Sequence, residues 1–334
     1  MSKKIKIAYH FGIFRLSSWM NRNIISILMY HGFSTPSDNI GLTNFERKHI
    51  NIGDFERHLK LIVKYGTPIS LERLIVNEKL PPNPIVLTFD DGYQNNYKYA
   101  FPLLEKYNVP ATIFVTTGFI DQTTYLWPDK LEFIIDHAAN KDLNFLWQDD
   151  RLTLALKTDT EKMTTICFIK EYLKSLSESD KLAFLDELHK SLEVEYTWDK
   201  IPSVLLPLTW DEIREMRASG LIAIGSHTVT HPILSKCTNE RQRTEIALSH
   251  ERITIELGEE CKLFAYPNGQ PTDYNQYTVQ LLKEHRYLGA VTAVFGYAYN
   301  NTQDNFHLNR FGTDGPLEDL GAIVTGLSHL AGKV

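Results

Sequence analysis

Short apolar segments rich in β-branched and aromatic residues alternate along this chain with longer segments of helical periodicity. The strand candidates are residues 24–30, 84–89, 111–116, 221–226, 262–266 and 287–292. Almost every position in them is apolar, which is typical of parallel strands that are buried on both faces and joined by helical crossovers. We therefore predict an α/β fold, an irregular (β/α) barrel of about seven strands rather than a β-sandwich.

Helix signals lie between the strand candidates. Asp54 is a candidate N-cap for an amphipathic helix that ends at Gly66. Thr209 and Glu212 have the spacing of a capping box, and Gly220 follows as a stop signal.

Residues 125–206 interrupt the alternation and have a mainly helical pattern, with Ile166, Ile169 and Leu173 on one stripe. No linker rich in proline or glycine separates them from the rest. We therefore expect residues 1–334 to form a single domain in which 125–206 are a helical insertion, a lid or a wall of the barrel.

Charge and cysteine content exclude several classes of protein. The net charge is -6 and no block of lysine or arginine is present, so we do not expect a nucleic-acid partner. Cys167, Cys237 and Cys261 are far apart and form no Cys-x-x-Cys pattern, which argues against a disulfide framework or a structural zinc cluster.

The first 23 residues lack the unbroken apolar stretch of a secretory signal, because His10, Gly12 and Arg15 interrupt it. No apolar run of 18 residues is found in the sequence, so we expect no transmembrane segment and a cytoplasmic location. Leu16 and Trp19, near basic residues, leave weak association with a membrane surface open.

The sharpest chemical signal is the sequence TFDDGY, in which Asp90, Asp91 and Gly92 directly follow a strand candidate. In (β/α) barrels, catalytic groups lie at the C-terminal ends of strands. An Asp-Gly turn relaxes the pleat and can bring both carboxylates to one cavity. The alternative is an ordinary turn with solvated carboxylates.

A second signal, SHTVTHP, places His227 and His231 four residues apart after another strand candidate. Two such histidines can converge on one metal ion. Together with one aspartate they supply the three protein ligands of a catalytic zinc site. Taken alone, two such histidines are more often ordinary surface or core residues than metal ligands.

Three further polar groups lie at or near the ends of apolar runs. His31 and the turn Pro267-Asn268, which could direct backbone N–H groups at an oxyanion, follow strand candidates, and His307 and Arg310 lie near the end of another short run. Chance would scatter such groups over both ends of the strands. Their common position predicts one shared site.

The motifs TFDDGY, SHTVTHP and FAYPNG resemble those of the polysaccharide deacetylases of carbohydrate esterase family four, the NodB-homology group. This resemblance implies that Asp90 is the general base and that Asp91, His227 and His231 are metal ligands. Members with an N-terminal MYH segment carry their catalytic acid there, in a permuted order, which points to His31.

The third motif departs from the family pattern. Its usual arginine is replaced by Ala265, and we consider Arg310 a candidate substitute that holds the catalytic aspartate. Asn268 replaces the tyrosine whose backbone amide lines the oxyanion hole in the family. We group Tyr93 and Pro267 with Asn268 as candidate residues for binding substrate or oxyanion.

The resemblance implies metal-dependent hydrolysis of the N-acetyl group of an N-acetylated sugar or polysaccharide precursor, releasing acetate and a free amine. The lack of a secretory signal favours an intracellular precursor, lipid-linked or nucleotide-linked. The expected cofactor is a divalent metal ion, zinc first, with cobalt, manganese or nickel as alternatives. Two rival functions are a hydrolase of cyclic amides or imides, of the allantoinase type, and an inactive carbohydrate-binding relative. A glycosidase is disfavoured, because its carboxylates stand about 5 to 10 Å apart across the scissile bond.

Overall fold

The strands of this computed structural model lie within the residues that it describes, which are 13–38, 41–42, 44–76, 79–148, 150–298 and 304–330. In chain order they are β1 Ser26–Tyr30, β2 Gly32–Ser34, β3 His49–Asn51, β4 Thr67–Pro68, β5 Pro84–Phe89, β6 Ala111–Val115, β7 Leu143–Trp147, β8 Asp150–Leu154, β9 Ile222–Ser226, β10 Leu263–Ala265, β11 Gly289–Phe295 and β12 Leu308–Gly312.

The α-helices of the same ranges lie mostly between the strands of the main sheet. They are α1 Ile13–Met20, α2 Ile52–Tyr65, α3 Leu71–Ile75, α4 Phe101–Tyr107, α5 Thr117–Ile120, α6 Trp127–Asp136, α7 Asp159–Ser175, α8 Glu178–Leu192, α9 Trp210–Ala218, α10 Asn239–Leu257, α11 Gln276–Glu284, α12 Leu317–Val324 and α13 Leu327–Leu330. A π-helical turn, Asn96–Ala100, precedes α4.

Within the described ranges, seven parallel strands close into a barrel in the order β1, β5, β6, β9, β10, β11 and β12, which is also their order along the chain. Pairing of β1 with both β5 and β12 closes the ring, and the short strand β4 adds to β5. This architecture confirms the predicted irregular (β/α) barrel. The irregularity includes a register shift between β11 and β12.

Strand side chains alternate between two apolar layers. Ile85, Leu87 and Phe89 of β5 join the large cluster that contains most of the outer helices, whereas Val86 joins a smaller cluster of residues from the other barrel strands and from α3. Successive strand residues face opposite sides, so Val86, Thr88 and the next alternate residue, Asp90, follow one another on the same face of β5. The barrel interior thus has a polar C-terminal end.

The segment between β6 and β9 carries the helices α6, α7 and α8 and a separate apolar cluster, to which Tyr93 and Phe119 also belong. It also contains the antiparallel hairpin of β7 and β8, which the mainly helical prediction missed. In β7, buried Phe145 and Trp147 alternate with exposed neighbours, so the hairpin has the period of two that a half-buried strand requires. We call residues 125–206 the insertion below.

The helix caps were predicted with mixed success. The box at Thr209 and Glu212 is confirmed, because both of its reciprocal hydrogen bonds are present. The cap at Asp54 is wrong, because α2 begins at Ile52 and Asn51 accepts the capping hydrogen bond. Asp54 instead lies in the first turn, where a carboxylate also stabilises the helix dipole.

Helix α1 lies at the N-terminal end of the barrel, where the Oγ of Ser18 donates to the carbonyl of Tyr65 just before β4. Residues 1–12, the start of the leading segment, lie outside the described residues. In the described ranges no helix is long and apolar enough to cross a membrane.

Candidate metal and catalytic centre

Two adjacent carboxylates follow β5 at the C-terminal end of the barrel. In a regular strand Asp90 and Asp91 would point to opposite faces. Instead, Asp91 has φ +76° and Gly92 has φ +90°, both in the left-handed region. This turn breaks the alternation, and both carboxylates line one cavity.

Arg310 of β12 forms a bidentate ion pair with Asp90 across the barrel. Its Nη1 and Nη2 atoms each donate to one carboxylate oxygen at 2.7 Å. Nη1 also donates to Thr88 Oγ1 at 3.1 Å, and Nε donates to the carbonyl of Thr292 at 2.7 Å. The pair is buried, with exposed fractions of 3% for Asp90 and 1% for Arg310.

Two opposing effects set the pKa of Asp90. Burial raises the pKa, but the charge and hydrogen bonds of Arg310 outweigh it and hold the pKa well below its usual range. Asp90 is therefore a carboxylate of fixed orientation at neutral pH. Arg310 occupies the position proposed from the sequence, and its part in catalysis stays a prediction.

His227 and His231 converge on Asp91. The Nε2 atoms of the two imidazoles lie 3.7 Å and 3.6 Å from Asp91 Oδ1. All three side chains are buried, and their candidate ligand atoms lie within 4.8 Å of one another. Atoms that bind a common cation at about 2.0–2.2 Å stand roughly 3.4 Å apart in a tetrahedral site, so the observed separations fit a bound metal ion.

The hydrogen bonding of His227 supports the same assignment. Its Nδ1 lies 2.7 Å from the carbonyl oxygen of Ala265, which can only accept, so Nδ1 carries the proton. The lone pair of Nε2, on the side of Asp91, can then bind a cation. A histidine that donates its other N–H to a carbonyl is typical of metal ligands.

His31 follows β1 and lines the same cavity. Its backbone carbonyl accepts a hydrogen bond of 2.8 Å from Asn96 Nδ2, which holds the residue in place. Burial lowers the pKa of the imidazole, against the smaller opposing effects of Asp91 and Asp90. The neutral ring therefore predominates near neutral pH.

The turn after β10 brings Asn268 to the cavity with φ +57°. Among the residues that the structure describes, neither the backbone N–H nor the buried Nδ2 of Asn268 has an acceptor. Both donors are therefore available to a ligand.

Three residues singled out from the sequence are not among the described residues that line this cavity. Tyr93 is fully buried and donates its hydroxyl to Asp129 at 2.7 Å. Pro267 precedes the lining residue Asn268, and His307 pairs with Asp304 at 3.3 Å. A direct contact with substrate is therefore not expected for Tyr93.

The cavity has a volume of about 700 Å³ and lies between the barrel and the insertion. Its insertion side includes Trp127, Glu132 and Lys170, and Lys170 pairs with Glu132 at 2.5 Å. Lys48 also lines the cavity and pairs with Asp129 of the insertion. The sequence analysis missed these residues, because no motif surrounds them and Lys48 and Asp129 are 81 positions apart.

Substituting Gly92 tests the turn between the carboxylates. A Cβ there would lie 3.0 Å from Ile120 Cδ1 and 3.2 Å from Val115 Cγ1, on a backbone that is already left-handed. We expect Gly92→Ala to lower the free energy of unfolding by about 1–3 kcal/mol, measured by urea denaturation.

Gly220→Ala is the matched control, because Gly220 has φ +75° but a Cβ there would meet nothing within 4 Å. Both variants carry backbone strain, but only Gly92→Ala adds the close contact and displaces Asp91. Equal losses of stability in the two variants would contradict the argument.

Comparison with known proteins identifies the family of the chain. A family model described as polysaccharide deacetylase matches residues 77–290, more than half of the sequence. YxkH of Bacillus subtilis (strain 168) is 31% identical over 121 residues, which are 35% of this chain and 40% of that protein.

A poly-beta-1,6-N-acetyl-D-glucosamine N-deacetylase of Staphylococcus aureus (strain MRSA252) is 25% identical over 146 residues, 42% of this chain and 47% of that protein. The chain thus spans less than half the length of these two curated relatives. The solved structure of Streptococcus pyogenes deacetylase PplD in complex with acetate superposes with a TM-score of 0.55, at 21% identity, over 87% of this chain and 92% of that one. At this level of identity the structural likeness shows the fold.

Proposed function

Because the chain belongs to the polysaccharide deacetylase family, we propose that it hydrolyses the N-acetyl group of an N-acetylated sugar in a carbohydrate, releasing acetate and a free amine. The observation that carries the proposal is one buried site in which Asp91, His227 and His231 converge beside the Asp90–Arg310 pair. An acid–base carboxylate next to a candidate metal site suits metal-assisted hydrolysis of an amide by water.

The proposed cofactor is a divalent cation held by Asp91 Oδ1 and by the Nε2 atoms of His227 and His231. A cation bound there supplies Lewis-acid chemistry, polarising a carbonyl and lowering the pKa of water toward neutrality. Mixed nitrogen and oxygen ligands suit zinc, which we propose first, and also cobalt, manganese and nickel.

Asp90 acts in this proposal as the general base. Arg310 keeps it ionised and fixes the direction of both carboxylate oxygens. The carboxylate takes one proton from the attacking water as the C–O bond forms. The unpartnered N–H of Asn268 stabilises the oxyanion of the tetrahedral intermediate.

The departing nitrogen needs a proton, because an unprotonated amide nitrogen is a very poor leaving group. His31 lines the cavity and is the proposed donor. Its lowered pKa makes the imidazolium a strong acid, which favours rapid proton transfer but limits the protonated fraction at neutral pH. Collapse of the intermediate then breaks the C–N bond, giving acetate and the amine.

An N-acetylhexosamine polymer or its precursor is the proposed substrate. The Staphylococcus aureus relative is named for poly-β-1,6-N-acetyl-D-glucosamine. A cavity of about 700 Å³ has room for more than an acetyl group, and Trp127 on its wall offers an aromatic surface of the kind that packs against sugar rings.

Removing the metal tests the proposal. We expect dialysis against a chelator to abolish acetate release from N-acetylglucosamine oligomers and added zinc or cobalt to restore it, because Asp91 and the two histidines then regain their cation. Acetate is measured enzymatically and metal content by mass spectrometry.

The same experiment addresses the alternatives. Full activity on a cyclic amide in metal-free protein would support the allantoinase-like function and contradict the proposal. Metal and sugar binding without any acetate release would support an inactive carbohydrate-binding relative.

We also propose weak association of α1 with an anionic lipid surface. Leu16, Trp19 and Met20 are 59%, 68% and 57% exposed on this helix, and Arg15 and Arg22 beside them are also exposed. The first acidic residue of a chain of net charge -6 is number 38, so basic charge is segregated at this end. Apolar and basic side chains together favour an anionic interface.

Vesicle flotation tests this association. We expect the fraction bound to vesicles with 30% anionic lipid to fall severalfold in Trp19→Ser and to be low for all proteins on neutral vesicles. Phe295→Ser is the control, because Phe295 is 57% exposed but belongs to β11. Equal flotation of Trp19→Ser and the unchanged protein would contradict the proposal. The cytoplasmic location stays a prediction.

A further inference from the structure

The loop that carries both candidate histidine ligands has an unusual backbone. Thr228 has φ +69° and His231 has φ +56°, so two residues without the freedom of glycine adopt the left-handed region within four positions. Such conformations cost of order 1 kcal/mol or more each and persist only where neighbouring groups hold them. The loop therefore needs a specific support.

Glu245 of α10 supplies that support. One of its carboxylate oxygens accepts hydrogen bonds from the backbone N–H groups of Val229 and Thr230, at 2.8 and 2.9 Å. The other oxygen accepts from the hydroxyl of Thr230 at 2.6 Å. The side chain of Glu245 is 1% exposed, so these bonds are shielded from water.

The charge of Glu245 matches its surroundings. Consecutive N–H groups in a turn form a concave site that favours an anion. Arg241, one helical turn earlier on α10, lies 2.7 Å from the second oxygen and offsets the buried charge. Further support comes from Thr228, whose Oγ1 accepts from the N–H of His231 at 3.1 Å. The N–H groups of Thr117 and Gly118 also donate to the carbonyls of Thr228 and Val229.

We propose that Glu245 is a positioning residue for metal binding, which sets the spacing of His227 and His231 by holding Val229 and Thr230, two of the three residues between them. This inference rests on the proposed function, since it assumes that the histidines bind a cation. Glu245 is not among the described residues that line the cavity, so it acts only through the loop.

Glu245→Gln is the discriminating variant, because it keeps the shape of the side chain. An amide has one acceptor oxygen and an NH₂ group, so it cannot accept from both the N–H groups and the hydroxyl of Thr230 in the same geometry. We expect the dissociation constant for Zn²⁺ to rise about 10- to 100-fold, measured by competition with a chromophoric chelator in the absence of substrate.

Glu251→Gln is the matched control, with the same change of charge at an exposed position of the same helix. We expect its zinc affinity to equal that of the unchanged protein. Arg241→Gln removes the ion-pair partner of Glu245 and a 3.1 Å hydrogen bond to Thr230 Oγ1, but leaves the three bonds that Glu245 accepts from the loop, so its zinc affinity is expected to change less than threefold.

Two readouts separate positioning from a general loss of stability. We expect Glu245→Gln to recover its kcat when zinc is saturating, and the metal-free variant to keep a cooperative thermal transition. If Glu245→Gln does not fold, Thr230→Val removes the hydroxyl that donates to Glu245 and accepts from Arg241, leaves both backbone bonds to Glu245, and is expected to weaken zinc binding by a smaller factor.

Zinc affinity in Glu245→Gln equal to that of Glu251→Gln would overturn the inference while leaving the proposed function intact. A lowered melting temperature without a change in zinc affinity would overturn it as well. Absence of zinc binding in the unchanged protein would instead contradict the proposed function.

Discussion

Asp90→Asn is expected to lower the kcat for acetate release by about 10²- to 10⁴-fold, the usual contribution of a positioned general base. Asparagine keeps one oxygen that can accept from Arg310, but it cannot take a proton from water. Asp91 and the two histidines are unchanged, so the variant is expected to bind one metal ion per chain. The measurements are steady-state kinetics and metal content on the same sample.

The control for Asp90→Asn is His227→Ala, which removes a candidate ligand and is expected to lose both metal and activity. The contrast between the two variants assigns the roles, because both side chains line the same cavity. Activity of Asp90→Asn within tenfold of the unchanged enzyme, at equal metal content, would remove Asp90 from the role of base.

Arg310→Met is expected to lower the free energy of unfolding at pH 7 by about 3–5 kcal/mol, because it leaves the buried carboxylate of Asp90 without its partner. Methionine fills much of the same volume, so the loss reports mainly on charge. The double variant Asp90→Asn with Arg310→Met is expected to recover a large part of that stability. Urea denaturation gives all three values.

The pH dependence of the same variants checks the cause. In the unchanged protein the lowered pKa of Asp90 contributes stability above roughly pH 4, the range of an unfolded aspartate, and this contribution is lost as the pH falls through the folded-state pKa. Without Arg310, burial raises the pKa of Asp90, so Arg310→Met is expected to lose less stability than the unchanged protein on acidification. A loss below 1 kcal/mol at pH 7, or an unchanged pH profile, would contradict this account.

Local patterns predicted most of the barrel. The apolar runs that became β5 and β6 are buried at every position, so composition alone marked them as interior strands. The capping box at Thr209 and Glu212 is likewise a signal within four residues. The hairpin β7–β8 was missed because its two strands of five residues lie in a segment whose longer runs have the helical period.

The candidate site was predictable where a motif carried it. Asp90, Asp91, His227 and His231 stand in short segments whose spacing suggested a shared cavity. The partner of Asp90 was harder, because Arg310 lies 220 positions away and only the missing family arginine drew attention to it. Glu245 had no such signal, since a glutamate in a helix is usually a solvated residue.

The same reasoning explains why the individual residues on the insertion side of the cavity were not predicted. Lys48 and Asp129 meet only because the insertion folds back over the barrel. Sequence spacing contains no information on that meeting. The permuted order suggested by the MYH segment, with His31 as the catalytic acid, stays a prediction. Asp90→Asn does not test it, but a His31→Gln variant would test it.

Closure of the barrel through β12 affects how the chain can be made. During synthesis, β5 and Asp90 leave the ribosome more than 200 residues before Arg310 does. The carboxylate of Asp90 in the nascent chain therefore has no counter-charge from Arg310 until β12 emerges. Until then, the unpaired carboxylate of Asp90 is costly to bury, which favours a state in which this end of the unfinished sheet is open to water. The ion pair thus links maturation of the proposed general base to completion of the barrel, and a polypeptide terminated before residue 308 would lack both.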